Sequence, residues 1–507
     1  MISNRKMLRE HRGELILICI TISFFAARLY LATFSSYSFF QGWTEGHYSL
    51  FAKGYFEHSL LIQERGGSIN WAVPPLYSWI IFASFKLFGI SDISARLTSV
   101  LATVFAIPFI YLLAKELYSR NVAILSSLIF LFIPWVVHLS GRVQTDMVMT
   151  ALMTASIACF VHAHNHKRSF IPFGVFFGLA LFTKQPSILI LAIIAVWLIL
   201  VGGRNEKFTI IKKCIFPVLI GVIPILTYAL YHVGNGNASG VLHLVYGEAT
   251  HRMVPFENLK NTAGGILVGI SPLVLLFAFY EMYKRMDKKN ILFIWIAVYG
   301  LFVLARTPPS HEYYILPLAV PFGILASKCI FSFRDSKAAE QVSRKRLEVL
   351  VAILVILSTI PVSYVFSSYT GDLGYTCTKD VADYLDRYMA ENPDETYLMV
   401  LHGRYAPQLE WYMNLMEKQI GSGVGNDLAA VSVEKVKNIA ENSNATRIFL
   451  VIDGRGGLDD RLESAGYERV YASYYLTKLP SIFSKIYTSE ESKSNDFEQH
   501  LSIYELK

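Results

Sequence analysis

Apolar residues run along this chain in blocks longer than a helix on a soluble domain requires. A helix that crosses a bilayer needs about 20 mostly apolar residues. Runs of that kind fall near 14–34, 93–114, 120–139, 147–163, 169–184, 186–202, 214–233, 263–283, 290–305, 313–331 and 348–367. The pattern predicts about eleven transmembrane helices. Between the first two runs, PPLYSWIIFASFKLF (74–88) is apolar but reaches only about 22 Å as a helix, too short to cross. Its Tyr77 and Trp79 suit a membrane interface. A second interfacial helix is predicted over 44–58, with Tyr48, Phe51, Ala52 and Tyr55 on one face. Beyond residue 368 the apolar runs shorten. TYLMVLH (396–402) and TRIFLVID (446–453) read as buried strands, and 381–388, 407–415 and 433–439 as amphipathic helices. The fold expected is a multi-span helical unit over 1–367, with interfacial helices in a first outer loop at 35–92, followed by a small α/β domain over 368–507. A Gly421, Gly423, Gly425 string follows no long strand and reads as a turn.

Charge supports this picture. Only 17% of the 507 residues are charged, against 53% apolar. Soluble domains carry about 25% charged residues, so a disordered regulator and an ordinary soluble enzyme are excluded. The net charge of +7 comes from Lys and Arg gathered in alternate loops. These are the N-terminus, Lys115 and Arg120, Lys167 and Arg168, Arg204 to Lys213, Lys284 to Lys289, and Arg334 to Arg346. Placing the N-terminus in the cytoplasm puts every one of them inside, so no nucleic-acid partner is needed. The first run follows Arg5, Lys6, Arg9 and Arg12 without a small-residue cleavage site and reads as an anchor. The five cysteines form neither a CxxC pair nor a zinc-spaced cluster.

Four outward-facing places then carry ionisable groups at one level of the bilayer, where such groups are costly. They are Glu45 with His47 and Tyr48; Arg142 with Asp146; Lys184; and Arg306 with His311, Tyr313 and Tyr314. Each has an ordinary reading by itself: a solvated loop acid, a helix cap, a snorkelling lysine, an aromatic belt. Together they suit a sugar carried on a lipid phosphate. That leaving group needs positive charge and hydrogen-bond donors, which Lys184, Arg306, His311, Tyr313 and Tyr314 can supply. His47, Tyr48 and Arg142 are further candidates for substrate contact. The acceptor needs one carboxylate base, Glu45 or Asp146. The second carboxylate can orient the acceptor or hold a divalent metal ion.

These residues resemble the GT-C glycosyltransferases of the protein O-mannosyltransferase and lipid A aminoarabinose transferase type. Thr44-Glu45-Gly46-His47-Tyr48 is similar to that family's acidic motif in the first outer loop, and Pro74-Pro75-Leu76-Tyr77-Ser78-Trp79 to its interfacial segment. Arg96 and the helix ending at Tyr118 match the next element. Arg142 to Asp146 is similar to the second acidic motif, Phe182-Thr183-Lys184 to a later lysine segment, and His311 to Pro317 to a late tyrosine-proline segment. Two positions depart: Thr44 stands where the family usually has Asp, and Val73 where it has His or Lys. The resemblance implies a polyprenyl-phosphate sugar donor and inverting transfer on the outer face, with Glu45 and Asp146 as the acidic pair and Lys184, His311 and Tyr313 near the donor phosphate. The expected location is the cell membrane, with the site and the C-terminal domain extracytoplasmic. The acceptor is a protein, a lipid or a polysaccharide. The rival reading is a transporter or flippase that makes no covalent bond.

Overall fold

A computed structural model of the chain describes residues 11–33, 35, 37, 42–57, 59–65, 68–69, 73–201, 203–246, 255–284, 290–306, 312–332, 349, 352–357, 377–401, 406–413, 446–453, 458–478 and 496–505. The membrane part contains α1 (Arg12–Ala32), α2 (Gly42–Gly54), α3 (Leu76–Phe88), α4 (Asp92–Leu117), α5 (Arg120–Phe132), α6 (Pro134–Ser140), α7 (Thr145–His166) and α8 (Ile171–Leu181). It continues with α9 (Leu189–Leu200), α10 (Arg204–Gly234), α11 (Ala238–Tyr246), α12 (Pro255–Ile270), α13 (Pro272–Lys284), α14 (Ile291–Arg306) and α15 (Ala319–Ser332). A small hairpin, β1 (Glu64–Arg65) with β2 (Ser68–Ile69), lies between α2 and α3. The tail adds α16 (Cys377–Glu391), α17 (Ala406–Tyr412), α18 (Leu458–Ser464) and strands β3 (Tyr397–Leu401), β4 (Arg447–Asp453), β5 (Glu468–Lys478) and β6 (Asp496–Glu505).

The helices begin and end where local chemistry requires. Ser91 and Ser119 accept hydrogen bonds from the backbone N–H groups of Ser94 and Val122 and so cap α4 and α5. Pro134 starts α6 after an extended Ile133, and the α5–α6 pair bends by 62°. Ser271 has φ 84°, Pro272 follows it, and the chain turns by 101° between α12 and α13.

These breaks change the span count. Among the described residues, five helices are long and apolar enough to cross a membrane, or up to seven if each bent pair is one span. The expected runs at 169–184, 186–202 and 290–305 give shorter apolar helices at Ile171–Leu181, Gln185–Leu200 and Ile291–Ala305. An 11-residue helix such as α8 is only about 16 Å long. The helix at 171–181 stops before Lys184, and a short 3₁₀ turn at Gln185–Ile188 precedes the next one, so neither run forms one straight span. Most of the expected run at 348–367 lies outside the described residues, as do the 367/368 boundary, the helix at 433–439 and the Gly421–Gly425 string.

The bundle is layered by exposure. Buried residues make up 83% of the apolar window of α7 and 89% of that in 313–332, but only 17% in α1 and α10. The first two form the interior, and the last two present apolar surface outward, as lipid-facing helices do. The helices α8 and α10 touch backbone to backbone. A Cβ on Gly178 would lie 2.1 Å from the Gly221 carbonyl oxygen, and one on Gly174 would lie 2.1 Å from that of Pro217. Small residues four apart allow this approach.

In the tail, strand order is β3-β4-β6-β5; β3 and β4 are parallel, and the other pairings are antiparallel. The helix α16 packs Val381, Ala382 and Leu385 against Phe449, Val451 and Ile503 of the sheet. The helix α17 adds Leu409 to this core and, on another side, lies against α2. A Cβ on Gly46 would come within 2.6 Å of the Pro407 carbonyl.

Candidate active site

The predicted residues gather at one end of the bundle, around the turn that joins α6 to α7. Tyr48, Phe51 and Ala52 form the buried face of α2, as their spacing predicts, and Tyr55, just past its end, is buried as well. This face fixes Glu45 one turn earlier, with no solvent exposure. The Glu45 carboxylate accepts from Arg142 Nη1 at 2.9 Å, from the Val143 backbone N–H at 3.2 Å and from Arg96 Nε at 3.4 Å. Arg96 also donates to the Ser35 carbonyl at 2.7 Å and the Ser35 hydroxyl at 2.9 Å, and its guanidinium lies 5.2 Å from the Tyr37 ring centre. Glu45 is therefore a charge held between two guanidinium groups. Its oxygens are occupied by these donors.

The second carboxylate stands one turn further on. Asp146, also fully buried, occupies the first turn of α7. Both of its oxygens accept from Lys184 Nζ, at 2.9 and 3.0 Å. Gln144 Nε2 and the Thr145 hydroxyl add longer bonds of 3.3 and 3.4 Å. Lys184 reaches this position because α8 ends at Leu181 and the chain turns before resuming as a short 3₁₀ segment. Its ammonium lies 4.0 Å from the Tyr314 ring centre and 5.6 Å from that of Tyr313, close enough for cation–π attraction. The turn 141–146 thus serves both ion groups. Glu45 touches its start through Arg142 and Val143, and Lys184 touches its end.

Two further predicted residues have ring contacts within α2 and with α3. Among its ring contacts, His47 packs edge-on against Phe51 at 4.2 Å, and Tyr48 against Tyr77 at 5.2 Å. Arg306 closes α14, and His311 lies outside the described residues. A divalent ion held by Glu45 and Asp146 would have to displace Arg142 and Lys184, whose cations already occupy the carboxylate oxygens.

The structure adds residues that the site reading left out. Arg28, in α1, puts Nη2 1.9 Å from where a Cβ on Gly141 would stand. Asp92, at the head of α4, accepts from Trp411 Nε1 at 2.6 Å and from the Tyr412 hydroxyl at 3.0 Å. Trp411 stacks between Tyr37 and Phe85, with ring centres at 5.7 and 5.8 Å. Burial, and next the Asp92 charge, push the Tyr37 and Tyr412 hydroxyls well above the usual tyrosine range, so both remain donors. An arginine inside an apolar run was the available signal for Arg28 and Arg96. Nothing local marks Trp411 or Tyr412. Arg28, Arg96, Arg142 and Lys184 together face Asp92, Glu45 and Asp146, a balance that favours an anionic guest.

This geometry can be set beside known proteins. The family profile described as dolichyl-phosphate-mannose-protein mannosyltransferase matches residues 72–231, which include Arg96, Arg142, Asp146 and Lys184. Crystal structures of ArnT from Cupriavidus metallidurans, in the apo state and bound to undecaprenyl phosphate, superpose with TM-scores of 0.65 and 0.63 at 15% identity. The apo alignment covers 97% of both chains. The chain shares the fold of these ArnT structures. Its long apolar helices make this a multi-pass membrane fold. The undecaprenyl phosphate-alpha-4-amino-4-deoxy-L-arabinose arabinosyl transferase 2 of Proteus mirabilis is 26% identical over 298 residues, 51% of each chain. The chain spans 51% to 60% of the length of the curated relatives it matches. The archaeal oligosaccharyltransferase AglB of Archaeoglobus fulgidus, solved with an inhibitory peptide and a dolichol-phosphate, superposes with a TM-score of 0.53 at 14% identity, over 85% of this chain and 69% of that one.

Proposed function

We propose that this chain is an integral-membrane glycosyltransferase of the GT-C type. It moves a hexose or pentose from a polyprenyl-phosphate donor to a hydroxyl or amine acceptor at the outer face of the membrane, with inversion at the anomeric carbon. The observation that carries this reading is the Lys184 ammonium, held on Asp146 at 2.9 to 3.0 Å beneath two tyrosine rings. A lipid phosphate arriving from the bilayer offers Lys184 a second anion. As the ammonium turns toward it, the Asp146 oxygens are released to take the acceptor's proton. The acceptor oxygen or nitrogen then bonds to the anomeric carbon, and the bond from that carbon to the phosphate oxygen breaks. Asp146 takes the acceptor proton, and the phosphate stays on its lipid, its charge met by Lys184 and the nearby arginines.

Glu45 has a different part in this scheme. It holds Arg142 and Arg96 in place, and they shape the anion site. The acceptor, whether protein, lipid or polysaccharide, and the carrier lipid are proposed only as classes. So is the extracytoplasmic placement of the site and tail, which rests on the lysine and arginine bias of the opposite loops. In the relatives, undecaprenyl phosphate and dolichol-phosphate are the lipids seen bound.

A transporter would claim the bent helices at Pro134 and Ser271 as its moving parts. Membranes containing the protein, mixed with radiolabelled polyprenyl-phosphate sugars and endogenous acceptors, separate the two. Covalent label on an acceptor, lost in Asp146→Asn, supports transfer. Label that crosses the membrane still attached to its lipid supports the transporter instead.

A further inference from the structure

At the far end of the same two helices lies a second cluster that the transfer chemistry does not use. Glu116 is in the last turn of α4. His162 and His166, four residues apart on one face of α7, both point at its carboxylate. His162 Nδ1 lies 2.8 Å from Glu116 Oε1, and His166 Nε2 lies 2.9 and 3.1 Å from the two oxygens. Asn165 Nδ2 donates to Oε2 at 3.1 Å. One ligand atom from each of the three residues falls within 4.8 Å of the other two, the one such group among the described residues.

We propose that Glu116, His162 and His166 form a binding site for a borderline divalent transition metal of the Zn²⁺, Co²⁺ or Ni²⁺ class. The argument starts from convergence. A salt bridge needs one cation per carboxylate, yet two imidazoles approach this one, their ring centres 4.6 Å apart. Two imidazolium ions so close repel each other, while two neutral imidazoles and a carboxylate make a three-ligand set. Nitrogen ligands select zinc-like ions over magnesium or calcium, which require mostly oxygen. A metal at this point replaces the protons now bridging nitrogen and oxygen, and the nitrogen-to-oxygen gaps need widen only by about 0.5 Å to reach tetrahedral ligand spacing. Asn165 steadies the second carboxylate oxygen from outside, as outer partners of metal-bound carboxylates do. Glu116 is 12% exposed, His162 40% and His166 51%, so an ion can enter from water and keep water in the remaining positions.

The site would act as a clip. Arg96 stands about 30 Å up α4 from Glu116, and Asp146 about 24 Å up α7 from His162. Joining the two helices at this end ties together the elements that carry the arginine and the carboxylate at the other. The proposal does not depend on the sugar-transfer reading.

The test uses the full chain without a polyhistidine tag, in nanodiscs, stripped with EDTA and titrated with Zn²⁺ alone by calorimetry and with Co²⁺ alone by visible absorption. Wild type should bind one more equivalent than Glu116→Gln or His166→Gln, with at least tenfold loss of affinity in each variant. The cobalt bands of that equivalent should disappear in both. Zn²⁺ should raise the thermal midpoint of wild type and leave both variants unmoved. His166 is half exposed, so its replacement leaves the fold intact and serves as the decisive variant if Glu116→Gln unfolds. Equal stoichiometry and equal midpoint shifts in wild type and His166→Gln, or no binding to wild type, overturn the proposal.

Discussion

Tyr412, in the C-terminal tail, donates its hydroxyl to Asp92 at the head of α4 across 3.0 Å. Trp411 donates to the same carboxylate at 2.6 Å. Arg96, one turn further along α4, holds Glu45. The tail is therefore joined to the acidic pair through a single helical turn. Tyr412→Phe removes this hydrogen bond to a charged group, a loss of about 1.5–3 kcal/mol, and also the one its oxygen accepts from the Tyr37 backbone N–H. Trp411→Ala also empties the stack between Tyr37 and Phe85 and should cost about 3–5 kcal/mol. Thermal unfolding and limited proteolysis check this: Trp411→Ala should expose the tail to protease before the helical bundle is cut.

Gly46 marks the closest approach of tail and bundle. Any Cβ there meets the Pro407 carbonyl at 2.6 Å, and that carbonyl belongs to backbone, which cannot rotate aside. Gly46→Val should displace α17 from α2, with Glu45 moved as a consequence. Label transfer should fall at least tenfold while the bundle remains folded by circular dichroism. Gly46→Val with wild-type transfer would show that α17 can leave without disturbing Glu45.

The two carboxylates should fail in different ways. Glu45→Gln leaves two buried guanidinium groups short of a counter-charge, a destabilisation of about 3–5 kcal/mol. Asp146→Asn also strands a cation, but Lys184 keeps the faces of Tyr313 and Tyr314. Transfer should drop about 10²–10⁴-fold, the range of a lost general base. The pair variant Asp146→Asn with Lys184→Met removes both charges and should regain stability without regaining transfer. Recovery of transfer in that double variant would remove Asp146 from the role of base.

Much of this was readable from sequence, for reasons that differ by residue. The apolar blocks announced the long helices because a bilayer imposes its own thickness on them. The face Tyr48, Phe51, Ala52 was legible because its spacing is that of one helix side. Glu45, Asp146 and Lys184 stood out because charge at that depth is costly. Their pairing was not legible: Arg96 and Arg142 reach Glu45 from 51 and 97 residues away. The strands β5 and β6 went unread because they mix aromatic and polar residues, so each lacks the continuous apolar run of β3 and β4. The contact of α17 with Asp92 is tertiary throughout, and no periodicity encodes it.

Glycines offer the sharpest contrast for testing the packing. Gly178 in α8 faces Gly221 in α10 so closely that a Cβ would stand 2.1 Å from a carbonyl oxygen and 2.4 Å from the Gly221 Cα. Both neighbours are backbone, so Gly178→Ala must push the helices apart, at about 1–3 kcal/mol. Gly300 in α14 has nothing within 4 Å of its Cβ position. Gly300→Ala adds a good helix former in open space and should stabilise by up to about 1 kcal/mol. The same chemical change thus has opposite signs at two positions within the apolar bundle. Thermal unfolding of the two variants in one detergent reads the difference directly. If both substitutions shift the midpoint in the same direction, the backbone contact between α8 and α10 is not what holds that pair together.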